Sequence, residues 1–251
     1  MTEPPTPVER VTREFADALD QARPRTAADA SDPAVPVAGT VVLLRDGAGG
    51  VEVFLIERPD RGSFAGAHVF PGGKLERADL RDGAAEEDDA RRAGVRETWE
   101  ETGLVLGAEP IETLSVWDPP PGLPVRIRTW FFVGRAPAGD PTLSPDEAVS
   151  AEWARPMDVL ARHGRGELTL YPPTWVTLDG LTRARDVDAL LDGVRLGGPR
   201  RYETVVRRTP EGPLFLWQDD VAYSDAEQDA ASGPRHRLQT GSLPWSYIRS
   251  D

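Results

Sequence analysis

Three glutamates, Glu97, Glu100 and Glu101, are spaced i, i+3 and i+4, and a helix puts that spacing on one face. They belong to the string RETWEETG, Arg96 to Gly103, and a Phe-Pro-Gly-Gly turn, Phe70 to Gly73, lies ahead of it. The pattern predicts a helix over Ala90–Thr102, closed by Gly103 at its C-terminal cap. Like charges at these spacings repel by roughly 0.2–0.5 kcal/mol per pair unless something positive sits between them. A hard divalent cation with oxygen ligands is the natural candidate. Arg96, four residues before Glu100, is spaced to hold that carboxylate from outside the metal. Acidic helix faces are usually just solvated. The whole string with a Gly-Gly turn upstream outweighs that reading here.

The rest of the chain narrows the class. Its 251 residues suffice for one good core and an appended segment. A formal charge of −13 disfavours nonspecific binding to DNA or RNA, so no nucleic acid polymer is expected as a partner. A small anionic substrate remains compatible, because a metal supplies local positive charge. The absence of cysteine removes disulfides, thiolate nucleophiles and zinc–thiolate sites. No apolar run is long enough to span a membrane, and MTEPPTPVER lacks the apolar centre of a signal peptide. A cytoplasmic protein is the expectation.

Residues 1–37 are rich in Pro, Ala and Asp and read as an N-terminal arm. Within it Val8, Val11, Phe15 and Leu19 fall at helical spacing over Val8–Ala22, a face available for a homodimer contact. Strands are predicted over 39–45, 51–58, 69–73, 104–106, 111–117, 125–134 and 148–153, with strand-like material over 202–221. Helices are predicted over 157–162, 173–184 and 187–191. The last thirty residues are polar and weakly patterned. Residues 38–191 are read as the main domain and 192–251 as a C-terminal extension. The mixture implies a layered α/β fold.

The segment Gly73–Leu104 resembles a Nudix box: a glycine, five residues, a glutamate, seven residues, then R-E-U-x-E-E-x-G-U with U aliphatic. Gly73 matches the first glycine, and Arg96, Glu97, Glu100, Glu101, Gly103 and Leu104 match the distal half. Asp79 stands where the family has its first glutamate, sixteen residues separate Asp79 from Arg96, and Thr98 replaces an aliphatic residue. The extra stretch, LRDGAAEEDDA, reads as a solvated loop ahead of the helix, and Asp79 is not counted among the functional residues.

The resemblance implies the Nudix α/β/α sandwich with a mixed sheet, and hydrolysis of a nucleoside-diphosphate-linked small molecule using Mg2+ or Mn2+. It implies Glu97 and Glu101 as metal ligands, Glu100 close behind, the Gly72 carbonyl at the same ion, and a later loop glutamate, for which Glu147 is the candidate. One of the helix glutamates is the candidate general base. Arg58, Lys74, Gly73 and Arg128 are candidate substrate contacts, and Arg126 shares the predicted strand face of Arg128. Trp117, Trp130 and Phe131 are either core or a platform for a ring. His68 precedes the turn, where no metal role is expected for it beside three carboxylates, and His163 and His236 have no evident partner. The flanks SFAGAHVFPGGKLERAD, RIRTWFF, AEW and LYPPTWVTLDGL resemble the Nudix branch of peroxisomal coenzyme A diphosphatases and their bacterial relatives. That likeness implies coenzyme A or acyl-coenzyme A as substrate. ADP-ribose or a dinucleotide is the alternative, and a noncatalytic nucleotide-sensing or protein-binding Nudix module is a third.

Overall fold

The computed structural model describes residues 19, 21–62, 64–107, 110–123, 126–225 and 232–250. Strand β1 (Val37–Gly47) organises the main sheet. Along one edge it pairs in parallel with β6 (Arg128–Arg135). Its other edge is divided: Leu44–Gly47 pair with β2 (Gly50–Glu57), and Ala38–Thr40 pair with the short β4 (Gly72–Lys74), both antiparallel. With β3 (His68–Val69), β5 (Glu112–Asp118), β7 (Ser150–Ala154) and β8 (Arg200–Glu203) this makes an eight-stranded mixed sheet. Its main path runs β3-β2-β1-β6-β5-β8, with β7 beside β2 and β4 beside β1.

Both faces of this sheet are covered, so β1 is apolar on both sides. Val41 and Leu43 join Phe54, Ile56, Leu104 and Ala148 on one side. Helix α1 (Glu86–Thr102) lies on that side, with Gly94 against Val41 and the backbone of Gly39. Val42 and Leu44 face the other side, where α2 (Pro156–Gly164), α3 (Pro172–Leu181) and α4 (Val187–Gly197) contribute Val159, Trp175, Leu178, Val187 and Leu191 to the core. This is the expected mixed α/β fold.

The described parts of the terminal regions carry more regular structure than their composition suggests. β9 (Val205–Thr209), β10 (Gly212–Leu216), β11 (His236–Gln239) and β12 (Ser246–Arg249) form a second, antiparallel sheet in the order β12-β11-β10-β9. The boundary drawn at 191/192 falls inside α4, and β8 of the extension pairs in parallel with β5. Trp117 on β5 stacks face to face on Tyr202 of β8 at 3.8 Å and meets Trp217 edge-on at 5.7 Å. Trp117 and Phe131 are each 4% exposed, so of the two readings, core or platform, these two take the core one. Leu104–Leu106 pairs with no strand, because Gly103 turns the chain and leaves Leu104 buried and Val105 exposed.

The helix expected over Val8–Ala22, with its homodimer face, lies outside the described residues except for Leu19, Gln21 and Ala22. The remainder of the arm is fastened to the sheet. One Arg25 nitrogen, Nη2, donates to the carbonyls of Asp118 (3.2 Å), Pro119 (2.6 Å) and Thr204 (3.1 Å). Ala30 offers its carbonyl to Arg128, and Arg126 pairs with Asp32 at 3.2 Å. Among the described residues, no helix is long and apolar enough to cross a membrane.

Two stability predictions follow from these contacts. Arg25→Ala takes the donor from three carbonyls at once and should cost about 1–3 kcal/mol in urea unfolding; an unchanged midpoint would show that water replaces the guanidinium without loss. His163 on α2 is buried edge-on against Trp245 at 4.5 Å, and burial lowers its pKa from 6.5 to about 4. The unfolded chain therefore binds the extra proton between those values, so this contribution to stability is whole above pH 6.5 and shrinks as pH falls toward 4. The slope is up to about 1.4 kcal/mol per pH unit. Melting curves of His163→Phe should be flatter than wild type across that window, and an identical slope would assign the proton uptake elsewhere.

Candidate active site

Helix α1 starts at Glu86, four residues before the position expected from sequence. The inserted acidic stretch is therefore a loop only as far as Ala85, and Glu86–Asp89 are the helix's first turn. Four acids there face the positive end of the helix dipole. Glu86 also accepts from Arg128 (3.1 Å) and from the Trp130 indole (2.9 Å), tying the new turn to β6. At the other end Gly103 adopts the expected left-handed conformation, φ 68°, and its N–H returns to Trp99.

The helix sits close to β1 because glycines face each other. A Cβ on Gly39 would lie 1.8 Å from the Ala90 carbonyl oxygen, and one on Gly94 would lie 3.2 Å from the Gly39 carbonyl carbon. Thr98, at the position usually aliphatic, is fully buried and donates its hydroxyl to the Gly94 carbonyl at 2.7 Å, so its polar atom is satisfied within the helix.

From this position the glutamates reach the Gly-Gly turn. Glu101, 2% exposed, accepts the Gly72 N–H at 2.9 Å and lies 3.6 Å from Nη1 of Arg58. Gly72 thus meets the glutamate through its N–H. Glu97 packs on the next residue: a Cβ on Gly73 would lie 2.2 Å from its carboxyl carbon. Glu100 is more open and pairs with Arg96 at 2.7 Å. Burial, against the Gly72 hydrogen bond and Arg58, pushes Glu101 up to about 8. Burial also raises Glu97, partly offset by Arg96. Glu147 raises both, so its charge is felt at the same point. Its loop is fixed to the helix end, where Ser144 N–H donates to the Glu101 carbonyl (2.9 Å) and Thr142 N–H to that of Thr102 (2.7 Å).

Arg96 is the hub of the acidic cluster. Its Nη1 spans Glu97 (2.9 Å) and Glu100 (2.7 Å), while Nε and Nη2 grip the two Asp79 oxygens at 3.1 and 2.9 Å. Asp79, set aside in the sequence because of the insertion, is only 4% exposed and anchors Arg96. The signal for it was present: an acid six residues after the first glycine of the box. The other sequence candidates are dispersed. Lys74 is exposed on β4, and its carbonyl accepts from Arg96 at 3.2 Å. Arg128, 6% exposed, is held by Asp118 (2.6 Å), Glu86 and the Ala30 carbonyl, apart from the glutamates. His68 lies 3.9 Å from Glu152, and His236 lies 3.4 Å from Asp219.

Among the described residues, no three acidic or histidine side chains already stand in metal-ligating geometry. Arg96 draws Glu97 and Glu100 toward itself, and the Gly72 N–H holds Glu101. The donor set nevertheless suits a hard cation: it is all oxygen, Glu101 is buried and Glu97 half-buried, and the charge of Glu97 raises the proton affinity of Glu101. Arg58 adds an unmet donor, since its buried Nε has no hydrogen-bond partner among the described residues.

Residues 35–172, 138 of 251, match the NUDIX domain, and the chain belongs to the NUDIX domain family. Hydrolases of this family generally act on nucleoside-diphosphate derivatives with divalent ions such as Mg2+ or Mn2+. Among solved structures, the chain is similar to a NUDIX hydrolase from Alicyclobacillus acidocaldarius, with TM-score 0.57 and 23% identity over 63% of this chain and 96% of that one. That likeness shows the fold. A looser one, TM-score 0.44 and 25% identity over 57% of this chain and 95% of the other, is to a MutT NUDIX hydrolase from Burkholderia pseudomallei. No curated protein matches the chain.

The two glycines of the turn should fail differently. Gly72 has φ 155°, and its added Cβ would meet the Gly39 oxygen at 2.4 Å and the Thr40 Cα at 2.6 Å, so Gly72→Ala should lower the melting temperature sharply. For Gly73→Ala the three nearest atoms all belong to the Glu97 carboxylate. This variant should keep most of the stability while weakening Mn2+ binding about 10-fold or more in a titration. Equal behaviour of the two variants would contradict this division.

Proposed function

We propose that this chain is a metal-dependent diphosphatase that cleaves the diphosphate of coenzyme A or a short acyl-coenzyme A, releasing 3′,5′-ADP and a phosphopantetheine. The observation that carries the hydrolase reading is the Glu101 carboxylate, buried beside Glu97 and Glu147, with the Gly72 N–H and a distant Arg58 as its balancing partners. Such a cluster is under-neutralised by the protein itself. Bound Mg2+ or Mn2+ supplies positive charge to phosphate oxygens and lowers the pKa of a bound water. Glu97 and Glu101 would hold the ion, with Glu100, Glu147 and the turn at Gly72 completing its surroundings. Arg96 keeps Glu97 and Glu100 aimed and is not itself at the reacting atoms. Arg58, partly exposed beside Glu101, orients a phosphate through its guanidinium, and Lys74 extends positive charge along the exposed side of β4. A carboxylate of the same group takes the proton of the attacking water.

The coenzyme A assignment rests on the flanking sequences. The buried position of Trp117 and Phe131 removes them as supports for either end of the substrate, while Trp130 is fixed to Glu86. The net charge of −13 supports a compact diphosphate over a polynucleotide.

The test is a product-resolved hydrolysis panel with Mg2+ and Mn2+, covering coenzyme A, acyl-coenzyme A, ADP-ribose, dinucleotides and RNA. Release of 3′,5′-ADP from coenzyme A is the expected result. Activity confined to ADP-ribose or dinucleotides would replace the substrate, and nucleotide binding without turnover would make the chain a sensor. Glu101→Gln should lower turnover on whichever substrate is cleaved by at least ~100-fold with the fold intact; near wild-type rates would remove it from the catalytic group.

A further inference from the structure

We propose that the insert within the Nudix box is a brace that aims the metal-binding glutamates, with Arg92 and Asp89 as positioning residues. This rests on the metal site proposed above. The box here has sixteen residues between Asp79 and Arg96, so sequence proximity alone does not aim Asp79 at the helix. Two contacts from the helix to the incoming chain do. Arg92 Nε donates to the Asp79 carbonyl at 2.7 Å and, within the helix, its Nη2 donates to Asp89 Oδ1. The same Asp89 oxygen accepts the Arg81 N–H at 3.2 Å. The main chain at 79–81 is thereby clamped to the helix one turn before Arg96.

The clamp has a direct downstream effect. With its backbone held by Arg92 and its carboxylate by the Glu76 N–H at 2.9 Å, Asp79 presents both oxygens to Arg96. Arg96 in turn fixes Glu97 and Glu100 through Nη1. Arg92 and Arg96 are four residues apart and share a helix face, so the order runs from insert to Arg92, to Asp79, to Arg96, to the glutamates. The acidic insert is thus read as a structural part of the site, with Asp89, 8% exposed, buried for that purpose. Neither Arg92 nor Asp89 touches a metal ligand, so their influence passes through Asp79 and Arg96.

The experiment uses the full chain and two readouts. One is the Mn2+ dissociation constant, measured well below the melting temperature. The other is the hydrogen exchange of the Arg96 Nε–H by NMR, which needs no metal. Arg92→Ala should raise the Mn2+ dissociation constant about 10-fold or more and accelerate the Arg96 exchange by about the same factor. Arg92→Lys, which keeps a charged donor for Asp89, should recover most of both. If Arg92→Ala fails to fold, the near-isosteric Asp89→Asn carries the same test. A lowered melting temperature with unchanged Mn2+ affinity marks a purely structural role and overturns the brace, as does unaltered Arg96 exchange. If the wild-type protein binds no Mn2+, the metal-site reading fails, and the Arg96 exchange alone decides whether Arg92 positions that side chain.

Discussion

Helix α1 lies on β1 with no side chain between them at Gly39 and Gly94, and the site depends on that close approach. A helix raised by one methyl group would lift Glu101 away from the Gly72 N–H and Glu97 away from the Gly73 backbone. Protein interiors are close-packed, so such a shift would be felt across the interface. The same strand pairs with β4, which puts the turn residues and the helix on a common support. Distances among Glu97, Glu101 and the turn are therefore set by backbone contact, which is stiffer than side-chain packing.

Local sequence made much of this legible. The spacing of Glu97, Glu100 and Glu101, the cap at Gly103 and the Arg96–Glu100 pair all lie within two helical turns, where periodicity fixes geometry. The parts that were not legible depend on residues far apart in the chain. Nothing local distinguishes Arg128 as a partner of Asp118 and Glu86 from a phosphate contact. Trp117 offered no sign that Tyr202, eighty-five residues later, would cover its face. The last two strands were missed because their apolar positions are sparse, and they are held by ladder pairing, β11 on β10 and β12 on β11. The insert differs from the expected solvated loop only from Glu86 on, where four acids at a helix start are favourable and Asp89 is buried.

Charge is unevenly managed in this protein. The chain is strongly acidic, yet arginines are placed inside it at points where carboxylates are buried: Arg96 at Asp79, Arg128 at Asp118, Arg237 at Asp220. Burying one member of such a pair without the other is costly, so each pair specifies its own partner during folding. Glu101 is the exception. Arg58 remains 3.6 Å away, and burial pushes this carboxylate up to about 8. An imbalance of that kind is where a functional cation is most readily accommodated.

The parallel pairing of Ser115–Asp118 with Arg200–Glu203 has a consequence for the chain as it emerges from the ribosome. Helix α1 and the turn it meets are close in sequence, Gly72 and Glu101 being 29 residues apart, and can associate early. Strand β5 must wait until the final quarter of the chain has been made. Until then its edge and the face of Trp117 are uncovered, which makes the nascent protein vulnerable to edge-to-edge association. A message truncated before codon 200 would therefore encode a chain with the site residues present but with an open sheet edge. Such a product should be a substrate for chaperones or proteases rather than a smaller working enzyme.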